Sequence, residues 1–197
     1  MTNLIRWGER LFLIPLSLGV ILRVAPQLVQ HPHFALFLVS ELVGVALLLL
    51  QRRGETTVEF YPILVAFVGT GAALLVVPTG QRLISDQASL VLILAGSSIA
   101  LAAKLFLGRS FGVVPANRGV KAAGVYRFVR HPMYAGYMIN QLGFLLFFFS
   151  LQNVIIYAVA WTALWLRTVE EEKFLRRDPA YQRYAQQVRF RLIPGLA

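Results

Sequence analysis

Between Gly124 and Gly136 the chain reads Gly124-Val125-Tyr126-Arg127-Phe128-Val129-Arg130-His131-Pro132-Met133-Tyr134-Ala135-Gly136, flanked by long apolar segments. Polar groups this dense at an apolar boundary cost desolvation unless they solvate something, which marks them as a candidate site. Pro132 suits the first turn of a helix, so His131 and Tyr134 bracket a helix start, where free N–H groups favour an anion. A second cluster, Arg167-Thr168-Val169-Glu170-Glu171-Glu172, closes the last apolar stretch. Arg167 and Glu171 are four apart and share a helix face. Glu170 and Glu172 lie about 100° to either side of Glu171. Together the clusters suit a zwitterion, its ammonium on Glu171 and its anion on the donors near His131. Each cluster also has a plainer reading. Arginine and tyrosine anchor helices at lipid headgroups, and Arg167 with Glu171 makes an intrahelical ion pair. The functional reading requires the two clusters to meet.

The elements that must position them are membrane helices. A chain of 197 residues is one domain by length, and 57% hydrophobic with 14% charged residues is outside the soluble range. The absence of cysteine excludes disulfides, thiolate metal sites and cysteine nucleophiles. A net charge of +10 would suggest nucleic acid in a soluble chain, but here the basic residues flank apolar segments and suit a membrane surface.

Apolar segments at about 11–29, 34–50, 60–77 and 88–108 have spanning or near-spanning length. The block 134–167 would be roughly 50 Å long as one helix, too long for a core of about 30 Å. Its polar break Ser150-Leu151-Gln152-Asn153 predicts a hairpin. The expected fold is all-α and polytopic, with six spans, or five if the first segment lies along the interface. With both termini cytoplasmic, only Arg23 and Arg82 of the 19 lysines and arginines fall outside, as the positive-inside rule demands. Residues 1–108 supply the N-terminal spans. Residues 109–194 supply a core of loop, hairpin and amphipathic tail helix, the tail pattern starting at Thr168.

The joint pattern Tyr126…Arg130-His131-Pro132-x-Tyr134-x-Gly136 with Arg167-x-x-x-Glu171-Glu172 resembles the isoprenylcysteine carboxyl methyltransferase family. It is similar also to the wider group of membrane phospholipid N-methyltransferases. The likeness runs from about Leu107 to Pro194, including Tyr181, Tyr184 and Ile193-Pro194. It implies a helical membrane enzyme using S-adenosylmethionine without a Rossmann domain, and the chain has no glycine-rich strand–turn–helix signature. The positions that contact the cofactor in that family correspond to Tyr126, His131, Pro132, Met133, Tyr134 and Glu171. They also include main-chain contacts at Arg118, Gly119, Val120 and Lys121. Arg118 stands where relatives often have histidine, and Lys121 where they are often apolar. The arginine that faces the methyl acceptor corresponds to Arg167.

Methyl transfer asks for alignment and exclusion of water more than for a strong catalyst. A carboxylate acceptor needs an orienting arginine. An amine must lose a proton, which Glu170, Glu172 or His131 could take, so Glu172 joins Arg167 on the acceptor side. The expected acceptor is a lipid-like or prenylated molecule, either an isoprenylcysteine carboxylate or a phospholipid amine, entering sideways from the bilayer. Two other readings compete. One is an NADPH-dependent sterol-type reductase, whose relatives usually carry an acidic residue where Tyr137 follows Gly136. The other is a non-catalytic membrane scaffold. Arg23 and Glu41 are expected to pair within the spans. His31 and His33 are a poor metal case without further ligands. Asn140 and Gln141 either line a pocket or hold helices together.

Overall fold

The computed structural model describes residues 2–195, which are mostly helical. The helices are α1 (Thr2–Val24), α2 (Phe34–Leu49), α3 (Phe60–Gly71), α4 (Asp86–Leu107), α5 (Pro132–Phe147), α6 (Leu151–Leu175) and α7 (Pro179–Gln187). Two segments, Asn3–Val29 and Asp86–Ser110, are long and apolar enough to cross a membrane, and Phe34–Leu49 and Phe60–Leu75 are shorter apolar helices. Local chemistry sets several boundaries. Ser85 caps α4 by accepting from Ala88 N, and Ser150 caps α6 by accepting from Asn153 N. Pro132 and Pro179 occupy first-turn positions where a missing N–H costs nothing.

The connections gather at two ends. At one, Gln81 and Phe149 pair through their main chains and His31 meets Asp86. At the other, Arg52 N donates to Arg109 O, and Arg177 pairs with Glu59. Helices α1 to α6 therefore alternate in direction. A two-residue pairing, β1 (Glu55–Thr56) with β2 (Ala116–Asn117), ties the α2–α3 connection to the loop before α5.

The α5–α6 connection falls where the polar break predicts it, but the two helices do not form a packed hairpin. Instead, α5 lies along α4 and α6 along α3. Small residues set this choice. A Cβ on Gly136 would come within 2.6 Å of Ala100 N in α4. One on Gly69 of α3 would meet the Ala163 carbonyl carbon in α6 at 3.2 Å. The tail also differs from the expected single amphipathic helix. Continuous helix runs to Leu175, and a turn precedes α7, whose N-cap Asp178 accepts from Ala180 N at 2.8 Å. α1 packs against α2 and buries Leu13, Val20 and Val24.

Candidate functional site

The loop from Gly108 to His131 is shaped by its glycines and by contacts from three other segments. Gly119 and Gly124 take φ of +86° and +61°, the left-handed region that an L side chain resists. Asn117 accepts from Gly119 N at 3.0 Å and donates to Asp178 at 2.8 Å. Glu9 of α1 is wholly buried. Its Oε1 accepts from Val113 N at 3.0 Å and Val114 N at 2.6 Å, and its Oε2 from Gln51 at 3.1 Å. The C-terminal tail closes over the same region, with Arg130 N donating to Phe190 O and His131 N to Arg191 O.

This framework borders a cavity that opens to the surface. Arg118, Gly119, Val120 and Lys121 line one part of it, and Tyr126, His131, Met133 and Tyr134 another. Glu171 joins them from α6, and Tyr181 and Tyr184 from α7. The two sequence clusters meet here. Pro132 is buried but is not among the lining residues; its position is the first turn of α5. Burial pushes the phenols of Tyr126, Tyr181 and Tyr184 up from their ordinary value, so they stay neutral donors. Tyr184 donates to Tyr126 O at 2.8 Å. Burial pulls the Arg118 guanidinium down, against the attraction of Glu9 and Glu171.

Glu171 and Glu172 part company. Tyr134 donates its hydroxyl to Glu171 Oε2 at 2.7 Å. Glu172 is 2% exposed and meets Arg130 at 2.7 Å, His131 and Arg191 at 3.3 Å and Arg176 at 3.4 Å. Burial alone would raise its carboxyl, but hydrogen bonds from His131 and Arg130 prevail and bring it down to about 2. Glu172, expected at the acceptor, lines neither this cavity nor the next. It joins α5, α6 and the tail. Glu170 pairs with Lys173 at 2.5 Å.

Arg167 faces a second cavity, between α2, α3, α5 and α6. Its guanidinium donates to Thr70 Oγ1 at 2.7 Å and to Gly112 O at 3.3 Å, and sits 4.9 Å from the centroid of the Tyr134 ring. Tyr134 lines the first cavity and carries this arginine of the second on its ring face. The rest of the second cavity is mainly apolar, with Phe37, Leu74, Phe144 and Leu164. Asn140 and Gln141 line it and also tie helices, Asn140 to Ser97 and Gln141 to Trp161.

The expected pair of Arg23 and Glu41 does not form. Arg23 donates to Leu74 O, and Glu41 pairs with Lys104 at 3.3 Å. Lys104 also donates to Ser40 O at 2.6 Å and Ser40 Oγ at 3.0 Å. Sequence reasoning missed this lysine because its place near the end of an apolar run suits a headgroup anchor. Its fit to Glu41 depends on α2 lying beside α4. Arg118's side chain was also missed, since the likeness pointed only to main-chain contacts there. His31 bonds Asp86 at 3.0 Å, and among the described residues no cluster of three His, Asp or Glu suits a metal.

Residues 87–182 match the family model described as phospholipid methyltransferase. No curated protein and no solved structure matches the chain.

Proposed function

From the premise that residues 87–182 are a phospholipid methyltransferase family domain, we propose that this protein is an integral membrane methyltransferase. In this reading it transfers the methyl group of S-adenosylmethionine to a lipid-like acceptor. The observation that carries the proposal is the partition of the site. Nine of the expected cofactor contacts line one cavity, the expected acceptor arginine lines the next, and Tyr134 stands between them. The family includes both isoprenylcysteine carboxyl methyltransferases and phospholipid N-methyltransferases, and either acceptor chemistry suits an arginine beside an apolar cavity.

The residues present fit the cofactor. A carboxylate, a buried cation, neutral phenols and apolar side chains line the first cavity, and S-adenosylmethionine joins an adenosine to a zwitterionic amino acid. When bound, it supplies an activated methyl group on a sulfonium. Glu171 holds the ammonium, and the Tyr134 hydroxyl fixes the Glu171 carboxylate. Arg167, tethered by Thr70 and Gly112, orients the acceptor while the apolar walls keep water out. Glu172 is ringed by cations and stays ionised, which makes it a positioning residue and a poor proton acceptor.

Six spans with both termini and the cofactor cavity on the cytoplasmic side suit the alternating helices and the charge bias. An exposed apolar stripe along α1 (Leu4, Leu11, Leu18, Leu22) and another along α6 (Leu151, Ile155, Val159) suit contact with lipid tails. The divergence of α5 and α6 leaves the second cavity between them, which favours lateral entry of the acceptor.

The test is transfer of labelled methyl from S-adenosylmethionine by protein in lipid nanodiscs. The acceptors are a prenylcysteine analogue, phosphatidylethanolamine and total lipid extract. Label in at least one of them is expected. Calorimetric binding of NADPH with no binding of S-adenosylmethionine would overturn the proposal in favour of a reductase.

A further inference from the structure

We infer that the side chain of Arg118 is the seat of the cofactor's carboxylate, so that Arg118 and Glu171 together grip the amino-acid end of S-adenosylmethionine; this rests on the reading above.

Arg118 is 7% exposed and lines the larger cavity. Its Nε is fully buried and has no hydrogen-bond partner among the described residues. The acidic groups that attract it are already committed elsewhere. Glu9 accepts from Val113, Val114 and Gln51, and Glu171 Oε2 accepts from Tyr134. A buried charge without close compensation is costly, and an arriving anion removes that cost.

The guanidinium lies in a built slot. A Cβ on Gly112 would collide with Arg118 Nη1 and Gln51 Nε2, and one on Gly54 would approach Arg118 Cγ to 2.7 Å. Two glycines from separate segments thus leave room for this one side chain. Ser110 Oγ donates to the Arg118 carbonyl at 3.0 Å and fixes its main chain. A planar guanidinium with paired donors matches a carboxylate better than an ammonium would.

The ligand's chemistry calls for such a pair. An amino-acid terminus carries its carboxylate and its ammonium on one carbon. Of the two guanidiniums that line this cavity beside Glu171, Arg130 is already bonded to Glu172, Val188 O and Arg189 O, which leaves Arg118 for the anion. The free N–H groups at the start of α5 are a weaker alternative. Pro132 has none, and Tyr134 N and Ala135 N already donate to His131 O.

Decarboxylated S-adenosylmethionine keeps the ammonium, the sulfonium and the adenosine, and it isolates the contact. Calorimetry would compare it with S-adenosylmethionine on the full-length protein in detergent, in the wild type and in Arg118→Gln and Glu171→Gln. Arg118→Gln is expected to weaken S-adenosylmethionine about ten- to hundredfold, as loss of a charged hydrogen bond does, and to leave the decarboxylated ligand unchanged. Glu171→Gln is expected to weaken both ligands. If Arg118→Gln leaves S-adenosylmethionine affinity intact, the seat is elsewhere. If it weakens both ligands alike, Arg118→Lys decides: recovery of the preference for the carboxylated ligand supports the seat, and equal loss again overturns it. A wild-type protein that binds neither ligand overturns the methyltransferase reading and the seat together.

Discussion

Glu171 and Glu172 are consecutive residues of α6 whose carboxylates serve different surroundings. Glu171 takes the Tyr134 hydroxyl at 2.7 Å on a cavity wall, while Glu172 is closed in by Arg130, His131, Arg176 and Arg191. The 100° step between neighbours on a helix is what separates them.

Substituting each by glutamine should therefore give opposite phenotypes. Glu171→Gln is expected to keep the melting temperature and lower S-adenosylmethionine affinity about ten- to hundredfold. Glu172→Gln leaves buried cations uncompensated and should destabilise the protein by about 3–5 kcal/mol. Differential scanning fluorimetry and calorimetry on both variants check this. The same phenotype in both would refute the division.

Acid should act through Glu172. Its folded carboxyl titrates near 2 against an ordinary 4.5, so its contribution is complete above about pH 5 and is lost as pH falls through the folded value. A shift of this size is on the order of 3 kcal/mol. Wild-type melting temperature in detergent should fall steeply between pH 5 and 2, and Glu172→Gln should flatten that fall. A variant profile parallel to the wild type would place the acid sensitivity in other carboxylates.

Arg167→Lys keeps the charge and loses the planar fork that reaches Thr70 and Gly112 together. Turnover is expected to fall at least tenfold with cofactor affinity nearly unchanged. Equal losses of both would put Arg167 inside the cofactor site.

Gly136→Val tests the close approach of α5 to α4. Its Cβ would lie 2.6 Å from Ala100 N and 2.7 Å from Gly96 O, both main-chain atoms that cannot swing aside. A loss of about 1–3 kcal/mol is expected from the overpacking, read as a lower melting temperature. An unchanged melting temperature would mean that the helices separate without cost.

Much of the site was legible because its residues are local. His131-Pro132 marks the α5 start, Ser150 marks the α6 start, and the four-residue step from Arg167 to Glu171 puts both on one face. Pairings across the fold were not legible. Nothing in the sequence ranks Lys104 above Arg23 as Glu41's partner until α2 and α4 lie side by side. Glu172 stood equally close to the acceptor in the sequence, and its withdrawal depends on Arg191, which the tail returns to it. The break at Asp178-Pro179 carries a helix-start signal, which the continuous amphipathic pattern of the tail obscured.

The choice of α5 to lie on α4, and of α6 to lie on α3, has a consequence for engineering. The family segment begins at residue 87, yet the surface that α6 packs on belongs to α3, and the loop that bounds the first cavity is pinned by Glu9. The segment is thus not a portable module. Grafted onto other helices it would lose one wall of the second cavity and the anchor of its loop, so a functional transplant would have to carry the first three helices with it.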